Sequence, residues 1–234
     1  MNPAVFVGLC PKKSAKKMGV NVNAWQAVRA KLGKAELVVV SKHQALTDVQ
    51  TLYALGQRAF AENRLPSLLE KQQALPSDIA WHFIGHLQSN KIKDLIGKVS
   101  LIHSVDRLSI LENINKEAEK KGLCVSVLLQ FHIAQEESKQ GFDPAQMANF
   151  SADYFASLKH VSVLGVMGMA SLTADKAQVR REFQTLKNTF DALKRAFFQN
   201  TPAFKHISMG MSQDYDIALA EGANILRIGS LFFT

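Results

Sequence analysis

The stretch ELVVVSK, residues 36–42, decides how the rest of the chain is read. Leu37, Val38, Val39 and Val40 form an unbroken apolar run of strand length, and a run without polar alternation suits a strand buried on both faces. Ser41 and Lys42 end the run. Lys42 therefore falls where the strand leaves the core, and its ammonium is expected to face a pocket.

Outward from that point, strand-like runs recur at 36–41, 59–62, 79–85, 101–106, 124–132, 161–169, 206–210 and 224–230, eight in all. Helix-period stretches lie between them. TDVQTLYALG (47–56) offers Thr47 as an N-cap and Gly56 as a stop. RLSILENINKEAEKKG (107–122) sets Leu108, Leu111 and Ile114 on one face and stops at Gly122. PAQMANFSADYFASLKH (144–160) begins with Pro144, a residue favoured in a first helical turn. DKAQVRREFQTLKNTFDALKRAFF (175–198) spaces Val179, Phe183, Leu186, Phe190, Leu193 and Phe197 by three and four. A further helix, NVNAWQAVRAKLG (21–33), precedes the first strand and brings the count to eight if every link is helical.

Eight strands alternating with helices imply parallel strands joined by right-handed crossovers, hence an α/β (β/α)8 barrel of the TIM type. The early helix is expected to fill the place that a helix after the last strand would take. An open doubly wound sheet would carry a glycine-rich turn after its first strand. Here that turn is SKHQALTD (41–48), without glycine. No Pro/Gly/Ser linker interrupts the pattern, so residues 21–234 read as a single barrel domain and 1–20 as an unassigned N-terminal segment.

Composition narrows the function. Hydrophobic residues make up 47% of the 234, ample for a core, and no apolar stretch approaches the ~20 residues that cross a bilayer. The chain reads as cytoplasmic and without a membrane. Cys10 and Cys124 cannot build a disulfide framework and lack metal-ligand spacing; Cys124 is expected to be a small buried residue. The net charge of +8 invites a nucleic-acid reading. However, the basic residues are scattered, apart from PKKSAKK (11–17), and the interleaved aromatics of a stacking surface are absent. Attraction of a small anion is the milder use of this charge.

A barrel gathers the C-terminal ends of its strands on one rim. Lys42, Asn63 and His86 follow the first three strands, SKQG (138–141) follows the fifth, and Met167 to Met169 end the sixth. SMGMS (208–212) and RIGS (227–230) close the seventh and eighth, the usual place for a barrel's phosphate site. Gly210 permits close approach of an anion, and Ser212 can head a helix whose free N–H groups and dipole would bind it. A buried amine at Lys42 would have its pKa lowered by desolvation, which helps it attack an aldehyde. Arg227 lies within the apolar NILRIGS (224–230), where it either pairs with a carboxylate such as Glu62 or donates inward to a ligand. His82 and His86, four apart in WHFIGHLQSNKIK (81–93), straddle a strand and a loop and make a poor metal site. An amine and a phosphate cradle on one rim are what pyridoxal 5'-phosphate requires.

Together VVVSK, FAENR, WHFIGHLQSNK, HSVDR, ESKQGF, LGVMGMA, SMGMSQDYDIALAEGA and RIGS resemble the pyridoxal phosphate homeostasis proteins, single-domain relatives of the alanine racemase N-terminal barrel. The resemblance implies a Schiff base to pyridoxal 5'-phosphate at Lys42. It implies phosphate contacts at Ser208, Gly210, Ser212, Gly229 and Ser230, and Arg227 against the pyridine nitrogen. Asn63 and Met167 would line the ring, and Ser138 and Lys139 would serve a regulatory or ligand-relay role. The implied function is a carrier and buffer of B6 vitamers without strong turnover, with pyridoxal phosphate-dependent apo-enzymes as candidate recipients. A monomer is expected, because the dimerising β-domain of the racemases is missing. The alternatives are a pyridoxal phosphate-dependent racemase or decarboxylase and, more distantly, a basic RNA-binding protein.

Overall fold

In the computed structural model, residues 19–136 and 139–233 are described. All eight expected strands form: β1 (Glu36–Val40), β2 (Ala59–Glu62), β3 (Ala80–Phe83), β4 (Leu101–Val105), β5 (Val125–Phe131), β6 (Val161–Gly168), β7 (His206–Ser208) and β8 (Ile225–Ile228). Each pairs in parallel with its neighbours in sequence, and β1 pairs with β8, so the sheet closes into a barrel. The helices are α1 (Val22–Lys31), α2 (Leu46–Ala54), α3 (Leu65–Ala74), α4 (Ile92–Leu95), α5 (Leu108–Lys120), α6 (Ala152–Ser157), α7 (Lys176–Phe197) and α8 (Tyr215–Ala220).

Strand periodicity sorts the side chains. Val38, Val40, Ala59, Ala61, Leu128, Met167 and Ile225 pack together inside the barrel, whereas Val39, Phe60, Val127 and Ile228 belong to the larger core under the helices. A bulge interrupts this alternation in β6. Val163 and Val166 both join the helix-facing core, while Leu164 and Met167 join the interior cluster. Gly165 sits at the irregularity with φ +153, and a Cβ there would lie 1.9 Å from the His206 carbonyl oxygen. The bulge thereby aims Met167 at the barrel axis.

Helix α1 occupies the place expected of it. Trp25 Nε1 donates to Gln57 Oε1 at 3.2 Å beside β2, and Lys31 pairs with Asp216 of α8 at 3.0 Å. It thus covers the seam between β8 and β1. The residues before α1 meet those after β8 as well, through a Val20–Phe233 bridge and an Asn21 N–H bond to the Phe232 carbonyl.

Three local expectations are corrected. Thr47 lies inside α2, which is capped by Ala45 without a side-chain bond; Gly56, with φ +95, does end that segment. The stretch after Pro144 forms a 3-10 helix capped by Asp143 and then the separate α6, restarted by Ser151, whose oxygen accepts from the Tyr154 N–H. Cys124 is exposed, because it precedes β5 rather than beginning it. Cys10 lies outside the described residues.

Asp175 caps the 22-residue α7, its Oδ1 accepting from the Ala177 and Gln178 N–H groups. Asp175→Ala is expected to cost about 1 kcal/mol in urea unfolding, the usual value of such a cap.

Candidate functional site

The sequence-derived residues converge on the C-terminal mouth of the barrel. Lys42 is carried there by a tight turn. The Gln44 N–H bonds the Ser41 carbonyl at 3.0 Å, and His43 takes the left-handed φ of +65, costly for a residue with a side chain. Lys42 is exposed, not buried as expected: β1 stops at Val40 and the turn lifts the lysine over the rim. Among the described residues its ammonium has no hydrogen bond or ion pair.

A buried carboxylate anchors that turn from behind. Glu62 at the end of β2 faces α3, and Lys71 of that helix reaches it at 2.5 Å. Lys71 Nζ also donates to the Ser41 carbonyl at 2.6 Å, and the Ser41 hydroxyl donates to Glu62 at 2.7 Å. Ser67 completes the carboxylate's partners at 3.1 Å. The possible Arg227–Glu62 pair is therefore excluded: Glu62 alternates with the inward Ala61 and points out of the barrel.

Arg227 instead points inward from β8. Its Nη1 donates to Ser208 Oγ at 2.6 Å and its Nη2 to the Gly168 carbonyl at 3.0 Å. The guanidinium is buried and makes no ion pair among the described residues. Burial pulls its pKa down to about 10 against the opposing field of Asp214. Ser208 is fully buried and spends its hydroxyl on Arg227 and His103, so it braces the arginine from below.

The turns after β7 and β8 form the expected cradle by different means. Ser212 does not cap α8; its Oγ accepts from the Ser230 hydroxyl at 3.0 Å and the Leu231 N–H at 3.3 Å, tying the two turns together. Asp214 heads the helix and folds the first turn, its Oδ1 accepting from the Met211 N–H. The backbone N–H groups of Gly210, Ser212, Gly229 and Ser230 find no partner among the described residues. Close packing requires both glycines. A Cβ on Gly210 (φ +93) would lie 2.6 Å from Ala218 Cβ, and one on Gly229 would lie 2.7 Å from the Val40 carbonyl oxygen.

Asn63 follows β2 with the inward parity of Ala59 and Ala61, and its carbonyl leaves room only for Gly85 beside it. Met167 is buried inside, paired in register with Ser208. Ser138 lies outside the described residues. Lys139 ties the loop after β5 to that after β6, donating to the Ala170 carbonyl at 2.6 Å and to Glu136 at 3.0 Å. His86 Nδ1 stands 3.6 Å from Asp106, whereas His82 turns into the barrel to meet His103.

Burial keeps His82 neutral, its pKa pushed down to about 4, and lowers those of His103 and His206. A depressed histidine favours the folded state above the unfolded pKa near 6.5; below it the unfolded chain binds protons that the folded one refuses. Stability is therefore expected to fall between pH 6.5 and 4 by roughly 3 kcal/mol from His82 alone, read in denaturant titrations at stepped pH. His82→Leu is expected to flatten the slope.

Residues 22–234 match the family model "Alanine racemase, N-terminal domain". The pyridoxal phosphate homeostasis proteins of Aquifex aeolicus and Helicobacter pylori are each 38% identical over 200 residues, 85% of this chain and 86% of theirs. PipY of Synechococcus elongatus, solved with PLP bound, superposes with a TM-score of 0.78 at 31% identity, covering 89% of this chain and 97% of PipY. Alanine racemase from Bartonella henselae shares the fold alone, with a TM-score of 0.69 at 12% identity over 91% of this chain and 58% of the racemase. No helix among the described residues is long and apolar enough to cross a membrane.

Proposed function

This chain belongs to the pyridoxal phosphate homeostasis protein family, and on that premise we propose that it holds pyridoxal 5'-phosphate through a Schiff base to Lys42 and carries the vitamer rather than turning over substrates. One observation carries the reading: among the described residues, Arg227, a buried guanidinium with no ion pair, lies on the rim that also bears an unpartnered amine and a set of free amides. The residues fit the group. Gly210, Ser212, Gly229 and Ser230 would receive the phosphate on their amides, Asn63 and Met167 would flank the ring, and Arg227 would face its nitrogen.

When bound, the cofactor supplies an aldehyde for the amine and, in enzymes, a ring that withdraws electrons. Arg227 works against the second use. A fixed positive charge disfavours a proton on the facing nitrogen, where a carboxylate would favour one. The reading therefore assigns this barrel retention and release, with B6 vitamers and the apo-enzymes that accept them as its partners. It would act as a monomer in the cytoplasm.

Incubation with pyridoxal 5'-phosphate, an absorbance scan, borohydride reduction and peptide mapping form the test. A reducible Schiff-base band and one modified peptide containing Lys42 are expected. A colourless protein, or a label on another lysine, would overturn the assignment. Exchange of the α-proton of alanine or serine at rates near an ordinary enzyme's ~10 per second would overturn the absence of turnover.

A further inference from the structure

A continuous polar chain crosses the barrel interior beneath Arg227, and the carrier reading leaves it unexplained. His82 Nδ1 of β3 lies 2.9 Å from His103 Nε2 of β4, and His103 Nδ1 lies 3.0 Å from Ser208 Oγ of β7. Ser208 in turn accepts from Arg227 of β8 at 2.6 Å. All four side chains are buried among apolar neighbours such as Val38, Ala61, Leu101 and Ile225. We propose that His103, backed by His82, is a positioning residue for Arg227 and acts through Ser208.

Proton order makes the chain directional. A guanidinium only donates, so Ser208 must accept from Arg227. The hydroxyl proton then has one remaining partner among the described residues, His103 Nδ1. His103 consequently carries its proton on Nε2 and donates to His82 Nδ1, which leaves the His82 proton on its own Nε2. The reverse order would strand the Ser208 proton in a dry interior, a loss of about 1–3 kcal/mol. Each link holds one proton, so both imidazoles are neutral, in keeping with the depression of both by burial.

A neutral brace has a consequence that a carboxylate brace lacks. It fixes the guanidinium plane without cancelling its charge, so the full positive field and the remaining N–H donors are left for a ligand at the mouth. The acceptor suited to that field is unprotonated: a heteroaromatic nitrogen or an anion. For the identity of that ligand the inference rests on the carrier reading above; for the chain itself it rests on the geometry.

Nitrogen-15 NMR of the ligand-free protein tests the order directly. Both His82 and His103 are expected as neutral Nε2–H tautomers at pH 7.5. An Nδ1–H tautomer at His103, or an imidazolium at either, overturns the relay. In the pyridoxal 5'-phosphate complex, His103→Leu is expected to weaken binding about tenfold, the scale of one buried hydroxyl left without its acceptor, and to displace the Schiff-base band. His103→Asn, whose Oδ1 can stand where Nδ1 stood, is expected to restore both. Unchanged affinity and spectrum in His103→Leu would refute the proposal. Should that variant not fold, Ser208→Ala removes the middle link and is read the same way. Absence of any band in the unaltered protein would overturn the carrier reading, while the tautomers still decide the relay.

Discussion

Lys42→Ala is expected to abolish the reducible adduct completely while leaving unfolding free energy within about 0.5 kcal/mol of the unaltered protein. The two halves of this result have separate causes. Lys42 supplies the amine proposed to attack the aldehyde, so without it that covalent bond does not form. Yet it is exposed, and among the described residues it has neither hydrogen bond nor ion pair, so its removal takes no interaction from the fold. The cradle amides and Arg227 remain, and some noncovalent affinity should survive. Mass spectrometry after borohydride treatment and urea unfolding of the same variant check both halves. A persisting adduct would place the chemistry on another amine; a large loss of stability would make Lys42 a structural residue. Lys42→Arg, which keeps the charge without the nucleophile, is expected to behave as alanine does.

How far the sequence discloses this site depends on which signal each part leaves. Strand runs are legible because both-face burial demands continuous apolar residues, and all eight form within three residues of their expected ends. The rim position of Lys42, Gly210 and Arg227 follows from barrel topology alone. Side-chain partners follow from geometry that spacing does not encode. Ser212 precedes a helix and reads as a cap, but it ties to Ser230, eighteen residues away, because the two turns converge only in the folded barrel. Ser208 belongs to a phosphate-like SMGMS segment, yet strand parity turns it inward to Arg227. Asp214, which folds the turn after β7, and His103, inside β4, lie in the quoted stretches SMGMSQDYDIALAEGA and HSVDR, but spacing there says nothing of the partners each finds across the barrel. Lys71 does leave a trace: it stands between Leu68 and Leu75 at helical spacing, a charge on an apolar face. That pattern foretells a buried ion pair, and Glu62 at the end of a buried strand is the natural partner.

Lys71→Met follows from that pair as the most damaging single change expected. Glu62 is fully buried, and the substitution leaves its carboxylate with two hydroxyl donors and no cation. Breaking a buried pair on one side costs about 3–5 kcal/mol, a large share of the stability of an ordinary domain. Replacing both partners, as in Glu62→Met with Lys71→Met, removes the stranded charge together with its cation and is expected to recover most of the loss. A double-mutant cycle in urea, with each single variant and the pair, measures the coupling. The pair's second role then becomes separable. Lys71 also holds the Ser41 carbonyl that closes the turn bearing Lys42, at a point where His43 sits in strained backbone. In the restored double variant the turn has lost that hold although the core has not, so adduct formation at Lys42 should remain slower than in the unaltered protein. Equal trapping rates in the two proteins would confine Glu62 and Lys71 to the core and leave the turn to fix Lys42 by itself.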